Sequence, residues 1–209
     1  GLATTALAQQ AFADSIYGFH PDARPLRDES PYPPVESPTD FPIDLADADE
    51  IPERFHRQLV AWEGPEEPGT IIVDPGQRFL YLVRDDGSAI RYGVGVGRAG
   101  FAWNGEATIG MKRRWPRWLP PEEMIYRDAK ALEWANGMPG GPENPLGARA
   151  LYLHANGEDT LYRIHGTNDP KSIGKAMSSG CIRMLNEDVA DLFERVPVKT
   201  KVIVLQADI

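Results

Sequence analysis

The chain has 209 residues, of which 42% are hydrophobic and 25% are charged, and nothing in this ordinary globular composition forces disorder over the whole length. The net charge of −9 is concentrated near the N-terminus: residues 14–50 hold ten acidic and two basic residues, and residues 51–69 hold four acidic and two basic ones. Since residues 70–209 are nearly neutral and contain no basic stripe, a nucleic-acid partner is not expected. No apolar run reaches the roughly 18–20 residues that a membrane span needs.

The first thirteen residues, GLATTALAQQAFA, are small, apolar and uncharged, and they contain Ala-x-Ala twice. This pattern is typical of the tail of a secretory signal peptide whose basic start is missing, and it predicts an exported protein. A short amphipathic helix or an expression remnant is the alternative. Under each interpretation, residues 1–13 are excluded from the prediction of the fold.

Residues 14–68 form a proline- and acid-rich N-terminal arm. The prolines between residues 18 and 52 exclude a long helix or a central strand, so we expect an extended arm that lies on the domain or is loosely ordered. The aromatic residues Phe19, Tyr32 and Phe41 could attach it. Residues 52–62 could form a short helix opened by Pro52, or a docking segment.

From residue 70 the pattern changes to short strands, which predicts a mainly β domain over residues 69–209. Asp86-Gly87 and Asn156-Gly157 are strong hairpin turns. Residues 186–196 are predicted to be a helix with Asn186 as its N-cap. A sandwich or partly closed barrel with one or two helices fits this spacing of short strands. The predicted strands are 70–74, 78–84, 89–97, 106–115, 150–155, 160–166 and 201–205.

A long insertion, residues 116–149, separates the fourth predicted strand from the second hairpin. It contains a predicted helix from about residue 122 to 134 and then a loop rich in glycine and proline. Long loops in compact domains usually serve as lids or binding loops. We therefore expect a lid over a functional site.

The chain has one cysteine and four histidines without the spacing of a metal site. This excludes an intrachain disulfide and a CxxC motif, and neither a metal nor another cofactor is expected. Cys181 is therefore either a small buried hydrophobic residue or a nucleophile activated by a histidine.

His165 ends a predicted strand, and Cys181 opens another extended segment sixteen positions later. If the two segments pair, the side chains meet at one end of the sheet, and the imidazole can take the thiol proton and lower the pKa of the thiol. The Gly166 carbonyl is then free to hold the other ring nitrogen. Gly180 leaves room for an arriving acyl carbon, and Arg183 shares a strand face with Cys181.

The stretch HGTNDPKSIG…SSGCIRM, residues 165–184, resembles the signature of the L,D-transpeptidases with the YkuD-type catalytic domain, and the resemblance extends over residues 69–206. Many relatives carry a histidine in the position of Ser179. That departure leaves His165 as the only base. The resemblance implies a YkuD-like fold.

The resemblance also implies a function. Family members acylate the cysteine with a peptidoglycan tetrapeptide stem, release D-Ala and transfer the stem to an amine of another stem, a lipoprotein, an outer-membrane protein or a free D-amino acid. By this match Cys181 is the nucleophile, His165 the base and the Gly166 carbonyl its orienting group, in a periplasmic cysteine acyltransferase. The residues expected to contact the substrate are Arg183, Ser178, Ser179 and Gly180, with the Cys181 backbone N–H in the oxyanion hole.

Two alternatives remain open from the sequence. With the same Cys–His pair, transfer to water makes the enzyme a hydrolase, an L,D-carboxypeptidase or an amidase that releases wall-linked protein. A non-enzymatic wall-binding module could instead use the acidic arm as an interaction tail. The presence of both His165 and Cys181 argues against that module.

Overall fold

The computed structural model describes residues 24–25, 41–97, 104–126, 128–178 and 180–206. The predicted signal-peptide remnant, residues 1–13, lies outside these ranges, as do Phe19 and Tyr32 of the arm.

Within the described ranges, ten strands form one mixed sheet in the order β1-β2-β5-β4-β3-β12-β7-β8-β9-β11, and β6 and β10 form a parallel pair. In the large sheet, β3 with β12 and β9 with β11 pair in parallel, and the other neighbours are antiparallel. The expectation of a mainly β fold is confirmed. The strands are β1 (Arg24–Pro25), β2 (Gln58–Ala61), β3 (Ile71–Asp74), β4 (Phe79–Val83), β5 (Ser88–Gly93), β6 (Val96–Gly97), β7 (Gly105–Arg114), β8 (Arg149–Ala155), β9 (Glu158–His165), β10 (Ala176–Ser178), β11 (Ile182–Arg183) and β12 (Lys201–Val204).

The helices of the described residues are short: α1 (Glu122–Ile125), α2 (Ala129–Glu133) and α3 (Asn186–Arg195). The prediction of one helix over residues 122–134 is wrong, because the Asp128 side chain accepts a hydrogen bond from the Lys130 N–H and starts a new helix there. Single turns of 3₁₀ helix occupy Ala48–Glu50, Glu53–Phe55 and Pro170–Ser172.

Two hydrophobic clusters cover the two faces of the central strands. Ile71 and Leu80 belong to the larger cluster, which also holds the apolar face of α3, whereas Ile72 belongs to a smaller cluster on the other face. The smaller cluster also contains Ile51 and Phe55, which precede β2 in the sequence. Because β3 and β4 are buried on both faces, they read as continuous apolar runs rather than alternating ones.

The sheet takes in residues that the sequence analysis assigned to the arm. Residues 58–61, within the segment predicted as a helix or docking segment, form β2 and pair with β5. We call residues 41–57 the strap, because they run across the molecule from Trp115 to the start of β2. The strap is held by its side chains rather than by long secondary structure, as its proline and acid content predicts.

Candidate active site

The parallel pairing of β9 with β11 brings the predicted catalytic residues together. Ile182 lies opposite Ile164, and Arg183 lies opposite His165. The two isoleucines belong to the larger core cluster. Since neighbouring residues of a strand point to opposite faces, His165 and Arg183 point away from the core, and Cys181 lies on their face.

His165, Cys181 and Arg183 line one pocket of about 760 Å³. Its opposite wall comes from the insertion, including Trp118, Trp134 and Leu146. This volume is typical of a small-molecule or peptide site. The insertion thus forms a wall of the pocket that contains the thiol.

His165 is 4% exposed, and its Nδ1 lies 2.6 Å from the backbone oxygen of Gly166. This contact assigns the ring proton to Nδ1 and leaves Nε2 with a free electron pair. Burial, helped by the positive charges of Arg183 and Arg163, lowers the pKa of His165 to about 4, against the opposite effect of the carbonyl groups of Gly166 and Leu146. The ring is therefore neutral at pH 7.

Burial also raises the pKa of the Cys181 thiol. A hydrogen bond from the backbone of Arg163 and the charges of Arg163 and Arg183 act in the other direction but do not outweigh the burial. This differs from the prediction that the thiol pKa is lowered by a protonated histidine. In a site this buried, forming a thiolate and an imidazolium is unfavourable, and the charges of the two nearby arginines do not compensate for the burial. The thiol and the imidazole are therefore both neutral at rest.

Gly180, directly before the cysteine, has a φ of 129° and is buried. This conformation disfavours residues with a Cβ, so the glycine is required by the backbone as well as by the space that the sequence analysis assigned to it. Ser179 lies outside the described residues, and of Ser178 only the backbone, at the end of β10, is described.

Asn186 supports the His165–Gly166 turn from behind. Its Oδ1 accepts hydrogen bonds from the backbone N–H groups of Ala148, at 2.9 Å, and Thr167, at 3.2 Å. A Cβ at Gly166 would overlap the same oxygen. The prediction that Asn186 caps α3 is wrong, because its side chain bonds to these two loops and Leu185 occupies the cap position without a side-chain bond.

Sequence reasoning missed Arg163, whose side chain also lines the pocket. It is held by Asp159 through two contacts of 2.6 and 2.8 Å, and it lies 4.3 Å from the centre of the Tyr152 ring. The alternation of β9 contained the signal, because Arg163 precedes His165 by two positions and so shares its face. Asn186 and the wall residue Leu146 had no comparable signal, because only long-range packing brings them near His165.

The wall formed by the insertion is anchored by Asn144, which is fully buried. Its Nδ2 donates to the backbone oxygens of Pro116, at 3.1 Å, and Pro139, at 2.9 Å, and its Oδ1 accepts from the Leu146 N–H at 2.8 Å. One side chain thereby ties both ends of the insertion together. Whether the wall moves as a lid stays a prediction.

The part of the chain that the structure describes contains no group of three or more His, Cys, Asp or Glu residues arranged to hold a metal ion. Nor does it contain a helix long and apolar enough to span a membrane.

The family model for the L,D-transpeptidase catalytic domain, YkuD, matches residues 68–204. This is about two thirds of the chain and includes β9, which ends at His165, and β11, which directly follows Cys181. The chain therefore belongs to the YkuD L,D-transpeptidase catalytic-domain family.

Curated relatives agree with this assignment. The chain is 36% identical over 136 residues to the probable L,D-transpeptidase ErfK/SrfK of Escherichia coli K12. These 136 residues cover 63% of the chain and 42% of that protein. It is 36% identical over 137 residues to the probable L,D-transpeptidase YbiS of the same strain, covering 64% and 43%. The chain thus spans less than half of the length of these relatives.

Among solved structures, a crystal structure from Brucella melitensis described as a probable carnitine operon oxidoreductase is 52% identical, with a TM-score of 0.52, over 74% of this chain and 96% of that one. The avibactam carbamoyl enzyme of Ldtfm is 18% identical, with a TM-score of 0.50, over 68% and 51% of the two chains. The second similarity concerns the fold alone.

Proposed function

We propose that the protein is an L,D-transpeptidase that acylates Cys181 with a peptidoglycan tetrapeptide stem and transfers the stem to an amine. The observation that carries this proposal is the parallel register of β9 and β11, which puts the thiol and the imidazole on one face, inside one 760 Å³ pocket. Family membership and the names of the curated relatives support the substrate class.

Catalysis begins from a neutral thiol and a neutral imidazole. As Sγ of Cys181 attacks the carbonyl carbon before the terminal D-Ala, its proton moves to Nε2 of His165. The carbonyl groups of Gly166 and Leu146 stabilise the charged ring that forms. Proton transfer is thus coupled to the attack, because burial disfavours a preformed ion pair.

The tetrahedral oxyanion is held by the backbone N–H of Cys181, and the positively charged Arg183 lines the same pocket. Collapse of this intermediate breaks the C–N bond, His165 returns the proton to the leaving amine, and D-Ala departs. The acyl group remains on Cys181 as a thioester.

In the second half of the reaction, an amine attacks the thioester and gives its proton to His165, and Sγ then leaves and is reprotonated. The product is a 3→3 crosslink, a protein attached to the wall or an exchanged D-amino acid. A periplasmic location follows from such a substrate. Attack by water instead would make the enzyme a hydrolase, with the same residues.

Substrate contacts are proposed for Arg183, Ser178, Ser179 and Gly180, which lie before and after the nucleophile in the sequence. The Arg183 side chain is partly buried and lines the pocket. We propose that its guanidinium donates to a carboxylate or carbonyl of the stem. The two serines are proposed from the resemblance alone.

The proposal is tested with defined tetrapeptide muropeptides, incubated with and without an acceptor amine. We expect the wild type to release D-Ala, to carry the acyl group on Cys181 by intact mass, and to form dimers or exchanged stems. Cys181→Ala should lack both adduct and product. His165→Gln should acylate about 10²- to 10⁴-fold more slowly.

His154→Gln is the matched control, because His154 lies on β8 and does not line the pocket. It should react like the wild type. D-Ala release with water as the only acceptor would establish the hydrolase instead. Turnover that persists in Cys181→Ala would refute the proposal.

A further inference from the structure

The strap, residues 41–57, lies outside the matched catalytic domain, which begins at residue 68. None of its residues lines the 760 Å³ pocket. The strap therefore does not obstruct this pocket. It packs instead on the segments that hold the catalytic residues in place.

One of these segments is the stretch 166–180, which joins His165 to Cys181 and which we call the catalytic loop. Phe55 of the strap lies so close to Gly174 of this loop that a Cβ at Gly174 would overlap the phenyl ring, and Gly174 has a φ of 80°. Ile51 and Phe55 share the smaller core cluster with Ile173 of the loop. On the surface, Lys171 of the loop pairs with Glu50 of the strap at 3.0 Å.

The strap is itself fixed at both ends. The Phe41 ring meets Trp115, at the base of the insertion, with 5.3 Å between the ring centres. At the other end, Arg57 pairs with Asp191 of α3 at 2.9 Å. Between them, the Ala46 N–H donates to Glu187 at 3.0 Å. A segment held at these points can brace the loop.

A continuous set of contacts connects Phe55 to β11, the strand that directly follows the nucleophile. The Gly174 N–H donates to the Val94 oxygen at 3.0 Å. The next residue, Gly95, exchanges two backbone hydrogen bonds with Arg183, of 2.9 and 2.8 Å. Arg183 follows Cys181 by two positions and lies opposite His165.

We propose that the strap is a positioning element of the active site, in which Phe55 holds the catalytic loop at Gly174 and thereby sets the position of Cys181 relative to His165. This inference rests on the proposed function, because it assumes that these two residues react. A loop with several glycines has little stiffness of its own, so a bulky side chain packed against it from outside reduces its freedom. Phe55 is 8% exposed, so the packing excludes water.

The test compares the single-turnover acylation of Cys181 by a tetrapeptide muropeptide in wild type, Phe55→Ala, Phe55→Leu and Leu45→Ala. Active sites are counted first by labelling to completion with a carbapenem, a β-lactam that the family resemblance predicts will acylate Cys181. Phe55→Ala should lower the acylation rate per active site about 10- to 100-fold with little change in the half-saturating concentration, because misplacement of the nucleophile affects the chemical step. Phe55→Leu should restore most of the rate, since it fills most of the space.

Leu45→Ala is the matched control within the strap, because Leu45 is 70% exposed. It should react like the wild type. Glu50→Lys leaves the core intact and puts two like charges together, so it should lower the rate about two- to fivefold, and the exchange Glu50→Lys with Lys171→Glu should restore it.

Two outcomes overturn different claims. If wild type acylates and folded Phe55→Ala matches it per active site, or if the charge exchange fails to restore the rate of Glu50→Lys, the positioning role is wrong. If wild type forms no adduct with the muropeptide, the proposed function fails instead, whatever the variants do.

Discussion

At the scale of single residues, burial controls the protonation of the candidate catalytic pair. It lowers the pKa of His165 to about 4 and raises that of Cys181, and both changes disfavour an ion pair. Two arginines, Arg163 and Arg183, oppose the change at the thiol and reinforce it at the ring. The site thus holds a base that stays unprotonated, and a thiol that stays protonated, across neutral pH.

This arrangement predicts the pH profile of acylation by a carbapenem. The rate should fall only as the pH approaches about 4, where His165 gains a proton and Nε2 can no longer accept one, and it should be flat from about pH 5.5 to 8. In His165→Gln the rate should be low and should rise with pH, because only the spontaneously formed thiolate reacts. A wild-type rate that is still rising steeply above pH 6.5 would contradict the neutral pair.

At the scale of elements, the insertion is a wall whose position depends on the hydrogen bonds of Asn144. The α1 and α2 helices are too short to be stable alone, so tertiary contacts must hold them. Asn144 satisfies backbone groups of residues 116, 139 and 146, which belong to both ends of the insertion.

Asn144→Ala should therefore loosen the wall and raise the KM for the muropeptide about tenfold, with a smaller effect on the acylation rate. The buried N–H and carbonyl groups left without a partner cost about 1–3 kcal/mol each, which should also appear as a lower free energy of unfolding in urea. Steady-state kinetics and urea titration check both expectations. Asn104→Ala is the control, because Asn104 is exposed. Equal KM values for Asn144→Ala and Asn104→Ala would contradict the anchoring role of Asn144.

At the scale of the whole molecule, two buried groups give stability opposite dependences on pH. The folded pKa of His165, about 4, lies below its unfolded value of 6.5, so acidification from 6.5 to 4 protonates the unfolded chain first and destabilises the fold. Burial raises the pKa of Asp188, at the start of α3, to about 7, against the opposite effect of the Arg57 charge. Its contribution is fully present below pH 3.8 and is lost as the pH rises through about 7.

Single variants should separate these contributions. Between pH 6.5 and 4.5, the free energy of unfolding of Asp188→Asn should fall more steeply than that of the wild type. The reason is that the folded variant no longer gains a proton at residue 188, which in the wild type offsets the effect of His165. That of His165→Gln should fall less steeply, since it lacks the group worth up to about 3 kcal/mol over the full range. Urea titrations at both pH values measure the slopes, and three parallel curves would show that neither group titrates as described.

Much of this molecule could be predicted locally. Short β patterns, two hairpin turns and the spacing of a cysteine after a strand-terminal histidine depend on neighbouring residues alone, and they predicted the strands and the candidate pair, whereas the family came from the resemblance of residues 165–184 to a known signature. The residues around that pair depend on contacts across the chain. Asn186 bonds to loops 38 and 19 positions away, and Phe55 meets a glycine more than a hundred positions later.

The sequence by itself therefore determined the mainly β fold and the residues that are candidates for the chemistry, because the period of a strand and the reactivity of a thiol are local properties. Only the tertiary structure decided that the pair is neutral, that the insertion is a wall of the pocket and that the strap braces the catalytic loop. Burial and long-range packing cause all three, and neither exists until distant segments come together.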